Sequence, residues 1–420
     1  MLSPVEMVAA NEKPSSIVIT SPPAKDSTEA AIRFYTSRVK RDPEDTRSQN
    51  ALAECYLQRV RNSGNEDYLP LALSAAQASL DAVPPVRNFG GLLALAHTEF
   101  ANHAFAAARD HALELTQLAP DKSEPYAVLG DAYLELGEYD CAAEAFRKME
   151  HLDEKNPGTE TRLARLAFLR GSTDAAQKHF VAALELLRLQ PQQEITAWCE
   201  WQLGETAFAI GDFRRAEKHY RDALKIIPNH FRAIGSLGRL AAERDDLSSA
   251  INYYEQAVRV APGVEYMAAL GDLYQRSGRA RDARIRYELV EQLGAHSRKV
   301  HGTPFDRRMA LFYADHDVRS EEAYAMARGE YEAGRHDIYG ADAIAWTAFK
   351  SGRLAEAKSA MKDALRLGTR DMRLAYHAEM IARKMEQPKS HLVYHWPAGK
   401  IAEATCAPFQ FVDLGSNDDL

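Results

Sequence analysis

His391 and His395 stand four positions apart with Cys406 beyond them, a spacing that could set two imidazoles on one helical face to bind a metal ion. Pro388 and Pro397 bracket the pair, so a helix is not expected there, and no carboxylate completes a ligand set. The reading expected instead is a tail segment folded back over the last apolar helix. Asp315-His316-Asp317 also combines metal-binding types, and is expected to be a solvated turn with capping carboxylates. Gly235-Ser236-Leu237-Gly238 superficially suggests a nucleophile turn, but it falls inside helical sequence, where a strand-to-helix elbow cannot form. No GxxxxGK[ST], HExxH, GxSxG or helix-opening GxGxxG is found. No catalytic, cofactor-binding or metal residue is therefore assigned, and no cofactor is expected.

The elements that would carry any site recur. Gly204, Gly238 and Gly271 are matched by Ala216, Ala250 and Ala283, and by Tyr220, Tyr254 and Tyr287 four positions after each alanine. Pro228 and Pro262 close two of the units. A period of this size marks stacked helix pairs, none of which buries its apolar face alone. The register extends upstream through Leu129, Gly130, Ala142 and Phe146, then more weakly through Leu163 and Ala176, Leu95 and Ala108, and a stretch from Ala51 to Pro84. Downstream it passes through Ala323 and Ala327 to Ala345, Gly352, Ala357 and Ala364, and a lone helix over Met372 to Met385 follows. About eight units are expected, with spare half-units at each end. Gly and Ala sit where helices cross, and Gly at the turn within a unit suits a left-handed cap.

With 46% hydrophobic and 27% charged residues, the composition is that of a soluble globular protein. A net charge of −8, from 52 basic and 60 acidic residues, argues against a protein built to neutralise nucleic-acid phosphates. Cys55, Cys141, Cys199 and Cys406 are widely spread and expected to be reduced, mostly buried thiols. No apolar run is long enough to span a bilayer, and Met1 to Pro23 lacks a basic n-region. A cytoplasmic protein is favoured on that basis, or an exported one if a leader was removed. Residues 1–26 are expected to be a disordered lead-in, 27–387 a helical solenoid, and 388–420 a tail, its packing on the last helix left open.

Leu-Gly, then Tyr or Ala, then Ala, Tyr/Phe, Ala and Pro at these offsets resemble the tetratricopeptide repeat, over roughly Ser27 to Gln387, and the closing repeats resemble long bacterial multi-repeat proteins. The resemblance implies an all-α, right-handed superhelix of antiparallel helix pairs, with first helices lining a concave groove that grips partner proteins. Departures are Glu200 where an aromatic is usual, Ala164 and Ala345 for the first-helix glycine, and extra residues at His296–Pro304.

By the same resemblance, first-helix slots two, five, nine and twelve face the groove. They hold Trp198, Trp201, Glu205 and Phe208 in one unit, and Tyr339, Asp342, Trp346 and Phe349 in another. Exposed aromatic clusters with a few charges are the composition of peptide-binding hot spots, although the same rings could pack between helices. Arg165 and Arg239 against Asp131, Glu205 and Asp272 complete a mixed-charge groove. The Lys and Asn that clamp acidic chaperone tails are absent from slots five and nine, which disfavours that ligand.

The function expected is a non-enzymatic scaffold or adaptor binding a segment of another protein in the groove, with no nucleic acid and no membrane insertion. One alternative is a structural protein that self-associates through its repeat ends. A remote one is a metal-bound sensor or enzyme using His391, His395 and Cys406.

Overall fold

A computed structural model of the chain describes residues 27–301 and 307–385. The expected lead-in and tail lie outside the described residues, as do His391, His395 and Cys406. The described chain is all helical: a lone α1 (Ser27–Arg41), nine helix pairs and a lone α20 (Met372–Lys384). The pairs are α2/α3 (Thr46–Ser63, Tyr68–Ala82), α4/α5 (Phe89–Ala101, Phe105–Leu118) and α6/α7 (Glu124–Leu136, Tyr139–Leu152). Next come α8/α9 (Pro157–Leu169, Thr173–Leu189), α10/α11 (Gln193–Ala209, Phe213–Ile226) and α12/α13 (Phe231–Glu243, Leu247–Val260). The last are α14/α15 (Val264–Arg276, Ala280–His301), α16/α17 (Arg307–Asp315, Ser320–Glu332) and α18/α19 (Ile338–Lys350, Leu354–Ala364). Half-units stand at each end as expected, but nine pairs stand where about eight units were expected, because the weakest copies, α2/α3 and α16/α17, are complete pairs.

Local chemistry places the helix boundaries. Asp212, Asp246 and Asn156 each accept a backbone N–H of the helix they open. Every turn within a pair holds a left-handed residue, usually glycine, but His103, Asp245 and Asp317 take the same conformation at φ 60°, 59° and 53°, and the α16/α17 turn adds Arg319 at φ 48°. Where the two helices cross in α6/α7, α10/α11, α12/α13 and α14/α15, an aromatic ring of the second lies on a glycine of the first. Tyr220 covers Gly204, Tyr254 covers Gly238 and Tyr287 covers Gly271, so a methyl group there would meet the ring.

Successive first helices pack on one another, whereas second helices touch mainly their own partner and the next first helix. First helices are accordingly buried almost all round, and α11 buries only the stripe Ala216, Tyr220 and Ala223. This asymmetry curves the stack into a superhelix with the first helices inside.

The curve closes on itself. Gly64, in the α2/α3 turn, lies against Ala261 in the linker after α13. His103, in the α4/α5 turn, meets His301 at the end of α15, Nδ1 to Nδ1 3.3 Å. Gly137, in the α6/α7 turn, abuts the His336 carbonyl, and the nearby Ile338 N–H donates to Tyr139 Oη at 2.9 Å, 199 positions away. Gly171, in the α8/α9 turn, abuts the Gly368 carbonyl, and the Thr369 hydroxyl donates to the Leu169 carbonyl. Each turn thus rests on the linker that opens the pair six places later. The superhelix completes a revolution in six pairs, and the start of its second revolution touches the first along a seam. Part of the stretch noted as extra, His296–His301, extends α15 so that His296 reaches Asp67 at 3.0 Å and His301 reaches Glu66 at 3.5 Å.

Candidate functional site

The concave wall is built from α6, α8, α10, α12, α14, α16 and α18, and its charged slots pair with each other between neighbouring first helices. Arg162 forks onto Asp131 at 2.9 and 2.7 Å, and Arg165 holds Glu135 at 2.5 Å. Arg239 holds both oxygens of Glu205 at 2.8 and 2.6 Å. The same Glu205 oxygen accepts from the Tyr220 and Ser236 hydroxyls, and Ser236 accepts from the Trp201 indole N–H. Asp272 accepts from Tyr287, and His316 Nε2 lies 2.8 Å from the same oxygen. Burial opposes charge on His316, yet the bond to Asp272 raises its pKa above the ordinary imidazole value.

These positions revise the expected exposed aromatic stripes. Trp198 and Trp201 are 2% and 1% exposed, and Phe208 is buried as well. Trp198 packs edge-on against Phe180 at 5.8 Å, and Phe208 lies under the Arg239 guanidinium at 3.9 Å. The second stripe is covered by α20. Trp346 stacks on His377 at 4.1 Å and Tyr339 faces Arg373, while Phe349 stacks on Trp346. Asp342 is fully buried. Burial would raise its carboxyl pKa, but His377 and Arg373 hold it below the usual carboxylate range. Rings that filled inter-unit space and charges that needed partners were drawn inward, because leaving either unpaired beside packed helices costs free energy.

Asp315-His316-Asp317 is likewise not a solvated turn throughout. Asp315 accepts from the Trp346 indole at 2.7 Å, and burial pushes its carboxyl up to about 6. Only Asp317 is exposed, held by Lys350 at 2.6 Å. Gly235–Gly238 lies inside α12, as expected. The thiols also differ from expectation: Cys199 is buried and its pKa pushed up, but Cys55 is half-buried and Cys141 exposed. Among the described residues one group could hold a metal ion, Glu200, His219 and Asp222, with ligand atoms within 4.8 Å of one another. Asp222 is already held by Lys218 and Lys225 at 2.8 and 2.6 Å, and Glu200 by His219 at 2.7 Å.

One pocket opens on the concave wall, where α10, α12, α14 and α16 meet. It brings together three of the expected site residues, Trp201, Arg239 and Asp272; Glu205 sits behind Arg239, and Arg165 lies away in the seam. Slot five holds small residues in two successive units of the lining, Gly235 and Ala268, and the Tyr266 ring lies over Gly235. Its rim adds Arg232, Glu265, Tyr266, Arg308 and Phe312, which were not singled out in the sequence. A signal for two of them was there: Arg232 and Glu265 occupy slot two, the slot of Trp198 and Tyr339.

The family description "Tetratricopeptide repeat" matches residues 158–229 in one form, and 93–157 and 201–265 in another. Cellulose synthase operon protein C of Xanthomonas axonopodis pv. citri (strain 306) is 30% identical over 122 residues, which is 27% of this chain and only 8% of that protein's length. Among solved structures, the APC/C hetero-tetramer Cut9-Hcn1 aligns at a TM-score of 0.47 and 14% identity, covering 85% of this chain and 59% of that one. PilW, a type IV pilus biogenesis factor, aligns at 0.41 and 18%, over 48% of this chain and 91% of its own. BtubC from P. vanneervenii aligns at 0.38 and 19%, over 46% and 90%.

Proposed function

Because this chain belongs to the tetratricopeptide-repeat proteins, we propose that it is a non-enzymatic scaffold holding a segment of another protein at the concave pocket between α10 and α16. Tetratricopeptide repeats in general mediate protein–protein interaction. The observation that carries the reading is that four consecutive first helices converge on one pocket. There the rings of Trp201, Tyr266 and Phe312 stand in one lining with Arg232, Glu265 and Arg308. Aromatic anchors beside arginine are the side chains that concentrate binding energy at interfaces. The ion-paired wall around the pocket is rigid, so little conformational entropy remains to be lost when a segment docks. Net negative charge disfavours a nucleic-acid partner, and no helix of the described residues is long and apolar enough to cross a membrane.

Site-directed photocrosslinking tests the assignment. A photoreactive phenylalanine replacing Arg232, on the pocket rim, is expected to capture a polypeptide in extracts of the native source. The same group replacing Lys218, on the outer second helix α11, is expected to capture none above background. Equal capture from both positions, or none from Arg232, rejects the pocket as the docking site.

A further inference from the structure

Among the described residues, every extensive contact between helices joins near neighbours along the chain, and none of them crosses the seam. The seam is a row of turn contacts, and its two ends differ in kind. Toward the last pairs it is closed by the Ile338 N–H on Tyr139 and by Thr369 on the Leu169 carbonyl. Toward the first pairs it rests on two imidazoles, His103 of the α4/α5 turn and His301 at the end of α15. They face each other Nδ1 to Nδ1 at 3.3 Å, with ring centroids 4.6 Å apart. A hydrogen bond between two such nitrogens needs one to carry a proton and the other to lack it. With both rings charged, both nitrogens carry protons and the contact fails. Burial, then His301, Arg335, Arg308 and Arg307, hold the His103 imidazole well below its ordinary pKa. Arg335 and Arg307 are themselves held by Glu135, Glu330 and Asp337. From the α2/α3 turn, Glu66 lies 3.5 Å from His301 Nε2 and Asp67 takes His296 at 3.0 Å. The Phe105 ring of α5 completes the surroundings of His103, at 5.6 Å.

We propose that the His103–His301 contact is an acid-released latch: when both imidazoles are charged, the first two helix pairs swing off α14 to α16 while every pair stays folded. The pairs stay because each packs on its chain neighbours through side chains that take no part in the seam. Opening returns His103 to water and to an ordinary imidazole pKa of about 6.5. The open form therefore binds more protons than the closed one below that value, and acid favours it by up to about ten-fold in population per pH unit. Above that pH the closed form is favoured. The latch does not depend on what the concave pocket holds.

The test measures a distance across the seam in the full chain. Spin labels on noncanonical residues replace Asn62 and Arg259, which are exposed on either side of the contact between Gly64 and Ala261, and the native thiols stay untouched. Electron spin resonance between about pH 7.5 and pH 5 is expected to show one short distance at the upper end. Toward the lower end a second population should grow, longer by about 10 Å, roughly one helix diameter. Its ratio to the first should rise by up to about ten-fold per pH unit, with far-UV circular dichroism unchanged. His103→Asn and His103→Gly both tolerate φ 60° and remove the titrating ring, so each should abolish the pH dependence. Two such variants keep the test decisive if one fails to fold. The proposal is overturned by a single pH-independent distance in the wild type. It is overturned equally by a longer population that appears only as helicity is lost, or by an undiminished pH dependence in a folded His103 variant.

Discussion

The Arg335 guanidinium donates to the Glu135 carboxylate across 200 positions of sequence, and both side chains are buried. Arg335 also reaches Glu330 at 3.1 Å, Arg307 bridges Glu330 and Asp337, and Arg165 closes the group on Glu135. Three guanidiniums and three carboxylates, from both revolutions of the superhelix, therefore neutralise one another inside the seam. A repeat stack normally gains stability only from nearest neighbours. Here the third and fourth pairs are braced against the eighth and ninth.

Removing one member of that group should be far more costly than a surface ion pair. Glu135→Ala leaves buried guanidiniums uncompensated, and a loss of about 3–5 kcal/mol is expected in urea unfolding. Replacing Glu135 and Arg335 together with Leu and Met should recover part of the loss. A double-mutant cycle measures the coupling, and additivity would mean the pair does not couple the two revolutions.

Gly171 and Gly278 separate the seam from ordinary turn strain. Both are left-handed, at φ 71° and 74°, but a Cβ on Gly171 would overlap the Gly368 carbonyl, while Gly278 has nothing within 4 Å. Gly278→Ala should cost about 1–2 kcal/mol, the conformational penalty alone. Gly171→Ala should cost roughly 1–3 kcal/mol more, as overpacking does. Equal melting temperatures for the two variants would remove the seam as a source of stability.

His103 should make the seam acid-sensitive. Burial, and then the nearby His301, Arg335, Arg308 and Arg307, hold its imidazole well below the usual pKa, so it is neutral in the folded protein. The unfolded chain takes up that proton near pH 6.5, which makes stability fall as pH drops below that value, by up to about 1.4 kcal/mol per pH unit. His103→Asn keeps a side chain that tolerates φ 60° and should flatten that part of the slope. His111 and His316 are shifted upward and give the opposite slope, so the wild-type minus variant difference is the quantity to plot.

Trp201 should behave as a core residue. Its truncation to Ala is expected to cost about 3–5 kcal/mol in chemical unfolding, since it is buried and holds Ser236. Replacing Trp198, Trp201 and Phe208 together, which the groove slots suggest as a binding test, should therefore reduce helicity as well. Arg232→Ala, on the pocket rim, should leave the melting temperature within a degree or two.

The repeat itself was legible because its constraints are local. Gly204, Gly238 and Gly271 must be small where a ring crosses them, and the same offset returns in every unit, so helices, pairs and turns could be placed along the chain. Even the weak copies kept the turn, with His103 and Asp317 standing where glycine is usual. What one unit's slots could not state was which of them would face water. Trp198 and Trp346 occupy groove positions, yet Phe180 and His377, from neighbouring helices, cover them.

Sequence alone determined the helical pairs and their period, since both depend on side chains within about one repeat of each other. Only the tertiary structure decided that six pairs make a revolution and that Gly171 meets Gly368, because a small change in rotation per unit accumulates over the stack and no single repeat encodes the sum. The same closure decided which charges are spent inside the seam, among them Arg335 on Glu135.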